Sequence, residues 1–125
     1  MKNISGMIVK GLGEGAFFMS IRQYQKEIEE KLGFSAYPGT LNIKVSKKQR
    51  ALLNAQGRIL IEGFKQGNKI FGGIDCYKTK IKNINGAVII PHMTKHKDVI
   101  EFIAPVHVKT KLKLKDGNRI KVEIK

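Results

Sequence analysis

The chain has 125 residues, 42% of them apolar, which is enough for one domain with its own buried core and too apolar for a disordered segment. A single cysteine, Cys76, excludes an internal disulfide framework, and the sequence shows neither a membrane-length apolar run nor a signal-peptide core, so the expectation is one cytoplasmic domain over residues 1–125. Twenty-four Lys and Arg against ten Asp and Glu give +14, and residues 78–125 carry twelve basic and four acidic side chains, a net of +8. Such a surface attracts polyanions, or it serves solubility and heat tolerance, and by itself it names no partner.

The first apolar stretch, Ile4–Val9, reads as a strand. Gly11-Leu12-Gly13-Glu14-Gly15 interrupts it, because three glycines in five positions permit backbone angles that other residues avoid. Ala16–Met19 can resume as a strand. Ser20 then stands as an N-cap, with Gln23 three residues on as in a capping box. Ile21, Tyr24, Ile28 and Leu32 share one helical face, and Gly33 closes the turn, which predicts a helix over about 21–32. Its polar face is expected at Gln25, Lys26, Glu29 and Glu30.

Tyr37-Pro38-Gly39 is a turn and Leu41–Val45 an alternating strand; Ser46–Leu53 predicts a short helix capped by Ser46. Ile59–Ile61 and Lys69–Phe71 read as strands joined through Gly63–Asn68, followed by Ile74–Ile81 with period-2 alternation. Asn85-Gly86 signals a hairpin into Ala87–Ile90, and Val99–Ile103 follows as another apolar strand. Asp116-Gly117 signals a second hairpin, between Leu112–Leu114 and Arg119–Ile124. Many short strands with turns about every ten residues predict a mostly-β fold, a closed or nearly closed barrel with one main helix.

Three segments carry candidate chemistry. The glycine loop follows a strand, and successive backbone N–H groups in such a loop can form an anion nest. It is neither a Walker motif nor a dinucleotide fingerprint, and a flexible barrel corner is an equal reading. Thr40 and Asn42, two apart on a strand, point to one face and offer hard neutral oxygens suited to Mg²⁺ shared with phosphates; a structural turn is the alternative. Glu101 is a lone carboxylate in the apolar run 99–103, placed for function or simply facing outward. His92 and His96 stand four apart with no third ligand evident, and Cys76 reads as a small core residue.

Taken together, these segments resemble the archaeal CTP-dependent riboflavin kinase family. The matching residues are Gly11-Leu12-Gly13-Glu14-Gly15, Leu32-Gly33-Phe34, Tyr37 with Gly39-Thr40-Leu41-Asn42, Gly86-Ala87, Pro91, Thr94 with His96, Ile100-Glu101, Ala104-Pro105 and Leu114-Lys115-Asp116-Gly117, and the similarity runs over about residues 5–122. The resemblance implies a six-stranded cradle-loop barrel of Greek-key type. It also implies transfer of the γ-phosphate of CTP to the 5′-hydroxyl of riboflavin, giving FMN and CDP, with Mg²⁺. The partners expected are these substrates alone, for a monomer with no membrane partner and, despite the basic charge, no nucleic acid. It places the nucleotide on Gly11, Leu12, Gly13, Glu14, Gly15, Ala16, Val106, His107, Val108 and Lys109, the metal on Thr40 and Asn42, and the flavin on Thr94 and Glu101. Glu101 would orient the flavin hydroxyl or take its proton.

Two departures stand out. The family usually has a cation directly after the glycine loop, where this chain has Ala16, and Leu-Arg where this chain has Val108-Lys109. Lys lacks the planar fork of Arg, so the missing charge is expected from Lys10 or Lys109. Two other readings remain: a small basic DNA-binding regulator with a related barrel or swapped-hairpin fold, given the dense Lys at 109–125, and a kinase relative with altered nucleotide preference.

Overall fold

The computed structural model describes residues 2–11, 18–54, 57–94 and 97–125. In chain order its elements are β1 (Asn3–Val9), α1 (Arg22–Leu32), β2 (Leu41–Lys44), α2 (Lys47–Asn54), β3 (Ile59–Ile61), β4 (Phe64–Gln66), β5 (Lys69–Phe71), β6 (Ile74–Ile81), β7 (Ile84–Pro91), β8 (Val99–Ile103), α3 (Val108–Lys111) and β9 (Arg119–Ile124). Strands β6, β7, β8, β2, β1 and β9 pair antiparallel in that order, and β9 returns to β6 through Thr79–Ile124 and Lys80–Glu123. The expected six-stranded antiparallel barrel is therefore formed. Strand β3 adds to the first half of β6, and β4 with β5 makes a separate hairpin.

The barrel interior follows from alternation. Ile4 and Ile8 of β1, Ile43 of β2, and Val122 and Ile124 of β9 point inward with Tyr77, Ile81, Val88, Ile100 and Phe102. Burial of each such aliphatic side chain contributes about 1.5–3 kcal/mol. Strands β6 to β8 are apolar over part of their outer face as well. There Ile74, Cys76, Ala87, Ile89 and Ile103 pack against Met19, Tyr24, Ile28 and Leu32 of the helical layer. Cover on both sides explains why 87–90 and 99–103 read as continuous apolar runs.

Several local expectations need correction. Phe18–Ser20 is a helical turn rather than strand, and residues 16–17 lie outside the described residues. Helix α1 starts after Ile21, which occupies the N-cap position with no side-chain cap, so the Ser20–Gln23 capping box does not form. Gln25 leaves the polar face: it is half-buried, its Nε2 donates to the carbonyls of Met19 at 2.6 Å and Ala36 at 3.0 Å, and it fastens the helix to both flanks. Gly33 ends the helix as expected, its N–H donating to the Glu29 carbonyl at 3.1 Å. Ser46 caps α2 as expected, accepting the Gln49 N–H at 3.1 Å.

The β6–β7 turn is Lys82-Asn83, with Ile81 opposite Ile84 and Lys82 at φ 52°, not Asn85-Gly86. Gly86 lies inside β7 opposite Thr79, where a Cβ would strike the Ile103 carbonyl oxygen and the Phe102 ring. The glycine answers a close approach of β8, not a turn. The 63–68 connection contains β4, which pairs with β5. Residues 112–114 are not a strand but the turn after α3, so Asp116-Gly117 links a helix to β9.

Candidate functional site

Strand β2 pairs with β8 so that Asn42 lies opposite Glu101. Their neighbours Leu41, Ile43, Ile100 and Phe102 belong to the barrel interior, so Asn42 and Glu101 stand on the outer wall. Thr40, just before β2, joins them: its Oγ1 donates to Glu101 Oε1 at 3.1 Å. Asn42 Nδ2 donates to the Thr40 carbonyl at 3.4 Å. Three sequence candidates thus form one half-buried polar patch. Gly11, just beyond β1, lies against it, because a Cβ there would strike the Asn42 amide. The rest of the expected phosphate loop, Leu12, Gly13, Glu14, Gly15 and Ala16, lies outside the described residues.

Two clefts of different character open on either side of this patch. The smaller, about 30 Å³, is bounded by Tyr37, Gly39 and Thr40 and by Val106, His107, Val108 and Lys109. The four residues expected on the nucleotide side are therefore brought together beside Thr40. The Tyr37 N–H donates to the Ala104 carbonyl at 2.8 Å, and the Tyr37 ring stands 5.0 Å from His107, tilted by 39°. His107 Nδ1 is 2.5 Å from Thr110 Oγ1. Lys109, expected as one source of a free cation, is paired instead: its Nζ lies 2.5 Å from Asp116 Oδ1.

On the other side Thr94 and Glu101 share a small hollow with Phe18, Pro91 and Met93. Through those last three residues the hollow continues into a much larger cleft of about 460 Å³, floored by Phe18, Tyr24 and Phe71 and edged by Ile70 and Met93. Tyr24 organises the floor. Its ring packs edge-on against Phe18, Phe64 and Phe71 at 6.1, 5.1 and 6.2 Å, and its hydroxyl donates to the Gly72 carbonyl at 2.6 Å. Burial pushes the Tyr24 hydroxyl pKa upward, which keeps it a neutral donor. Sequence reasoning missed Phe18, Tyr24, Ile70 and Met93 as site residues. Only the unusual 72% and 68% exposure of Ile70 and Met93 singles them out, and exposure is not written in local sequence.

The patch is suited to a hard cation. A hydroxyl, an amide oxygen and a carboxylate oxygen are donors of the kind Mg²⁺ takes alongside phosphate oxygens and water. Thr40 and Asn42, with Glu101 adjacent, are therefore the residues that could hold such an ion, the Asn42 amide turning its oxygen in where its Nδ2 now faces Thr40. Among the described residues no group of three or more His, Cys, Asp and Glu is placed to hold a metal. His92 Nε2 lies 2.8 Å from Asp75 Oδ1, and His96 lies outside the described residues. Cys76 is buried in the outer layer, and burial, reinforced by the Asp75 charge, pushes its thiol up to about 12, so it is no nucleophile at neutral pH. No helix among the described residues is long and apolar enough to cross a membrane.

Comparison with known proteins bears on the same residues. The family model CTP-dep_RFKase, described as "Domain of unknown function DUF120", matches residues 8–124. The chain is 47% identical over 123 residues to a protein of Pyrobaculum aerophilum named riboflavin kinase, covering 95% of this chain and 59% of that protein. It is 43% identical over 126 residues to the riboflavin kinase of Methanosarcina acetivorans, covering 98% of this chain and 53% of the relative. The riboflavin kinase of Archaeoglobus fulgidus is 41% identical over 125 residues, covering 97% and 54% respectively. The chain thus spans little more than half the length of these relatives. With the match running through Gly11, the Thr40–Asn42–Glu101 patch and both clefts, the chain belongs to the CTP-dependent riboflavin kinase family.

Proposed function

We propose that this domain transfers the γ-phosphate of CTP to the 5′-hydroxyl of riboflavin, giving FMN and CDP. The observation that carries the reading is the Thr40–Glu101 hydrogen bond of 3.1 Å, which joins two clefts of unlike chemistry at one point. Phosphoryl transfer asks for in-line positioning and charge neutralisation rather than covalent help from the protein. A donor bound on one side and an acceptor on the other meet at that patch.

On the donor side the backbone of Gly11, Leu12, Gly13, Glu14, Gly15 and Ala16 holds the phosphates, and Val106–Lys109 borders the base. On the acceptor side the large aromatic-floored cleft takes the flat flavin ring. Thr94 and Glu101 then hold the ribityl end, with the Glu101 carboxylate accepting from the 5′-hydroxyl and orienting it. Thr40 and Asn42 hold Mg²⁺, which when bound offsets charge developing on the transferred phosphoryl group. Incubating the protein with riboflavin and Mg²⁺ plus CTP, ATP, GTP or UTP separately tests the reading. FMN is expected with CTP, FMN with another nucleotide alone changes the donor, and none with any overturns the kinase reading. Duplex DNA titrated across a salt series tests the regulator alternative, which requires tight binding with a steep salt slope.

A further inference from the structure

We infer that the Lys109–Asp116 pair is a latch that positions the nucleotide side of the site, and that Lys109 is a positioning residue rather than a phosphate ligand. This rests on the nucleotide reading of the small cleft. Lys109 lies at the end of the segment 106–109 that borders that cleft, yet its ammonium sits 2.5 Å from the Asp116 carboxylate. Asp116 is in turn fixed to the strand leading into the glycine loop. The Gly117 N–H next to it donates to the Ile8 carbonyl at 2.7 Å, and the Ile8 N–H donates to the Asn118 carbonyl at 2.8 Å. The backbone closes the same unit from the other end, where the Leu114 N–H donates to the Lys109 carbonyl at 2.8 Å. The ion pair therefore ties 106–109 to β1, which carries Gly11 two residues beyond its end.

Charge arithmetic separates this role from direct phosphate contact. A Lys paired this closely presents a nearly neutral dipole to an incoming triphosphate. Recruiting its ammonium to phosphate would break the pair and bring the phosphate charge toward the Asp116 carboxylate. The net cation for the phosphates then falls to Lys10, exposed beside Gly11.

The two roles predict opposite signs at Asp116. If Lys109 binds phosphate directly, removing the Asp116 charge frees the ammonium and lowers the CTP KM. If the pair is a latch, Lys109→Gln and Asp116→Asn both raise it, each by about three- to fivefold as expected for a half-exposed ion pair. The double variant is then no worse than the worse single one, and the swap Lys109→Asp with Asp116→Lys recovers most of the loss. The experiment measures CTP KM at saturating riboflavin for native protein and these four variants, with thermal melts confirming that each folds. A CTP KM that rises for Lys109→Gln but stays level or falls for Asp116→Asn overturns the latch, as does a swap that recovers nothing. Absence of CTP-dependent FMN in the native protein overturns the functional reading itself, a result that the native control shows separately.

Discussion

The two clefts differ in size and in lining. The one beside Val106–Lys109 is narrow, built largely from backbone turns and a short helix, and ringed by Tyr37, His107 and Lys109. The one beside Thr94 and Glu101 is some fifteen times larger in volume, about 460 against about 30 Å³, and is floored by aromatic rings. The exposed large apolar side chains among the described residues are Tyr37, Ile70, Met93 and Val106, and all four lie at one cleft or the other. Exposed apolar surface concentrated at concave sites marks binding surfaces. The barrel wall at β2 and β8 separates the two clefts as a partition: Thr40 lines the small cleft, Glu101 lines the hollow on the other side, and the hydrogen bond between those two residues spans the wall, with Asn42 beside it.

The largest effect should come from that partition. The variant Thr40→Ala with Asn42→Ala should lower kcat by about 10²–10³, as does loss of preorganised charge stabilisation elsewhere. Both substrates should still bind, as judged by flavin fluorescence and by nucleotide calorimetry. A kcat within a few-fold of native would mean that the partition is not where chemistry occurs.

Next in size is the apolar side alone. Ile70→Ser with Met93→Ser removes the two exposed edges of the large cleft and should raise the riboflavin KM by about tenfold, since the partial apolar burial that the two side chains offer together is worth about 1.4 kcal/mol. The CTP KM should not move. Equal changes in both constants would break the comparison, showing one continuous site in place of two.

The same two-sidedness runs through the core and gives two smaller effects. On the inward face of β6, Thr79 is fully buried and its Oγ1 has no hydrogen-bond partner among the described residues. Thr79→Val keeps the shape and removes the unsatisfied hydroxyl, so it should stabilise the barrel by about 1–2 kcal/mol, read by urea unfolding. Loss of stability would mean that the hydroxyl is satisfied after all. On the outward face, the Cys76 thiol ionises at about 12 in the folded protein against an ordinary 9.0. A raised folded pKa contributes stability fully below the unfolded value and loses it as pH rises toward the folded one. Between about pH 9 and 12 the native protein should therefore lose more stability than Cys76→Ala, in which Tyr24 and Tyr77 are retained. Parallel curves would put Cys76 outside the apolar layer.

Much of the frame was legible because it is local. The 3.6-residue spacing of Tyr24, Ile28 and Leu32 marks α1, and alternation marks β1 and β9. Of the candidate site, Thr40, Asn42 and Glu101 were readable as oxygen-bearing residues at telling positions. Their convergence was not, because it depends on the β2–β8 register across some sixty residues, with Thr40 and Glu101 61 apart in sequence. Strand β4 was hidden for a similar reason: three residues, Phe64–Gln66, become a strand only by pairing with β5. The Asn85-Gly86 signal misled because a glycine selected for contact with Phe102 looks, in sequence, like one selected for a turn.

By itself the sequence determined the barrel class, the main helix and its glycine stop, the serine cap of α2 and the residue types of the polar patch. These follow from periodicity, capping chemistry and side-chain donors, all properties of neighbours along the chain. Only the tertiary structure decided that Lys109 is already paired with Asp116, that Phe18, Tyr24, Ile70 and Met93 bound one cleft, and that Gly11 rests on Asn42. Those facts depend on which distant strands and loops come within a few ångströms of one another, and that is set by closing the barrel and burying its two apolar layers together.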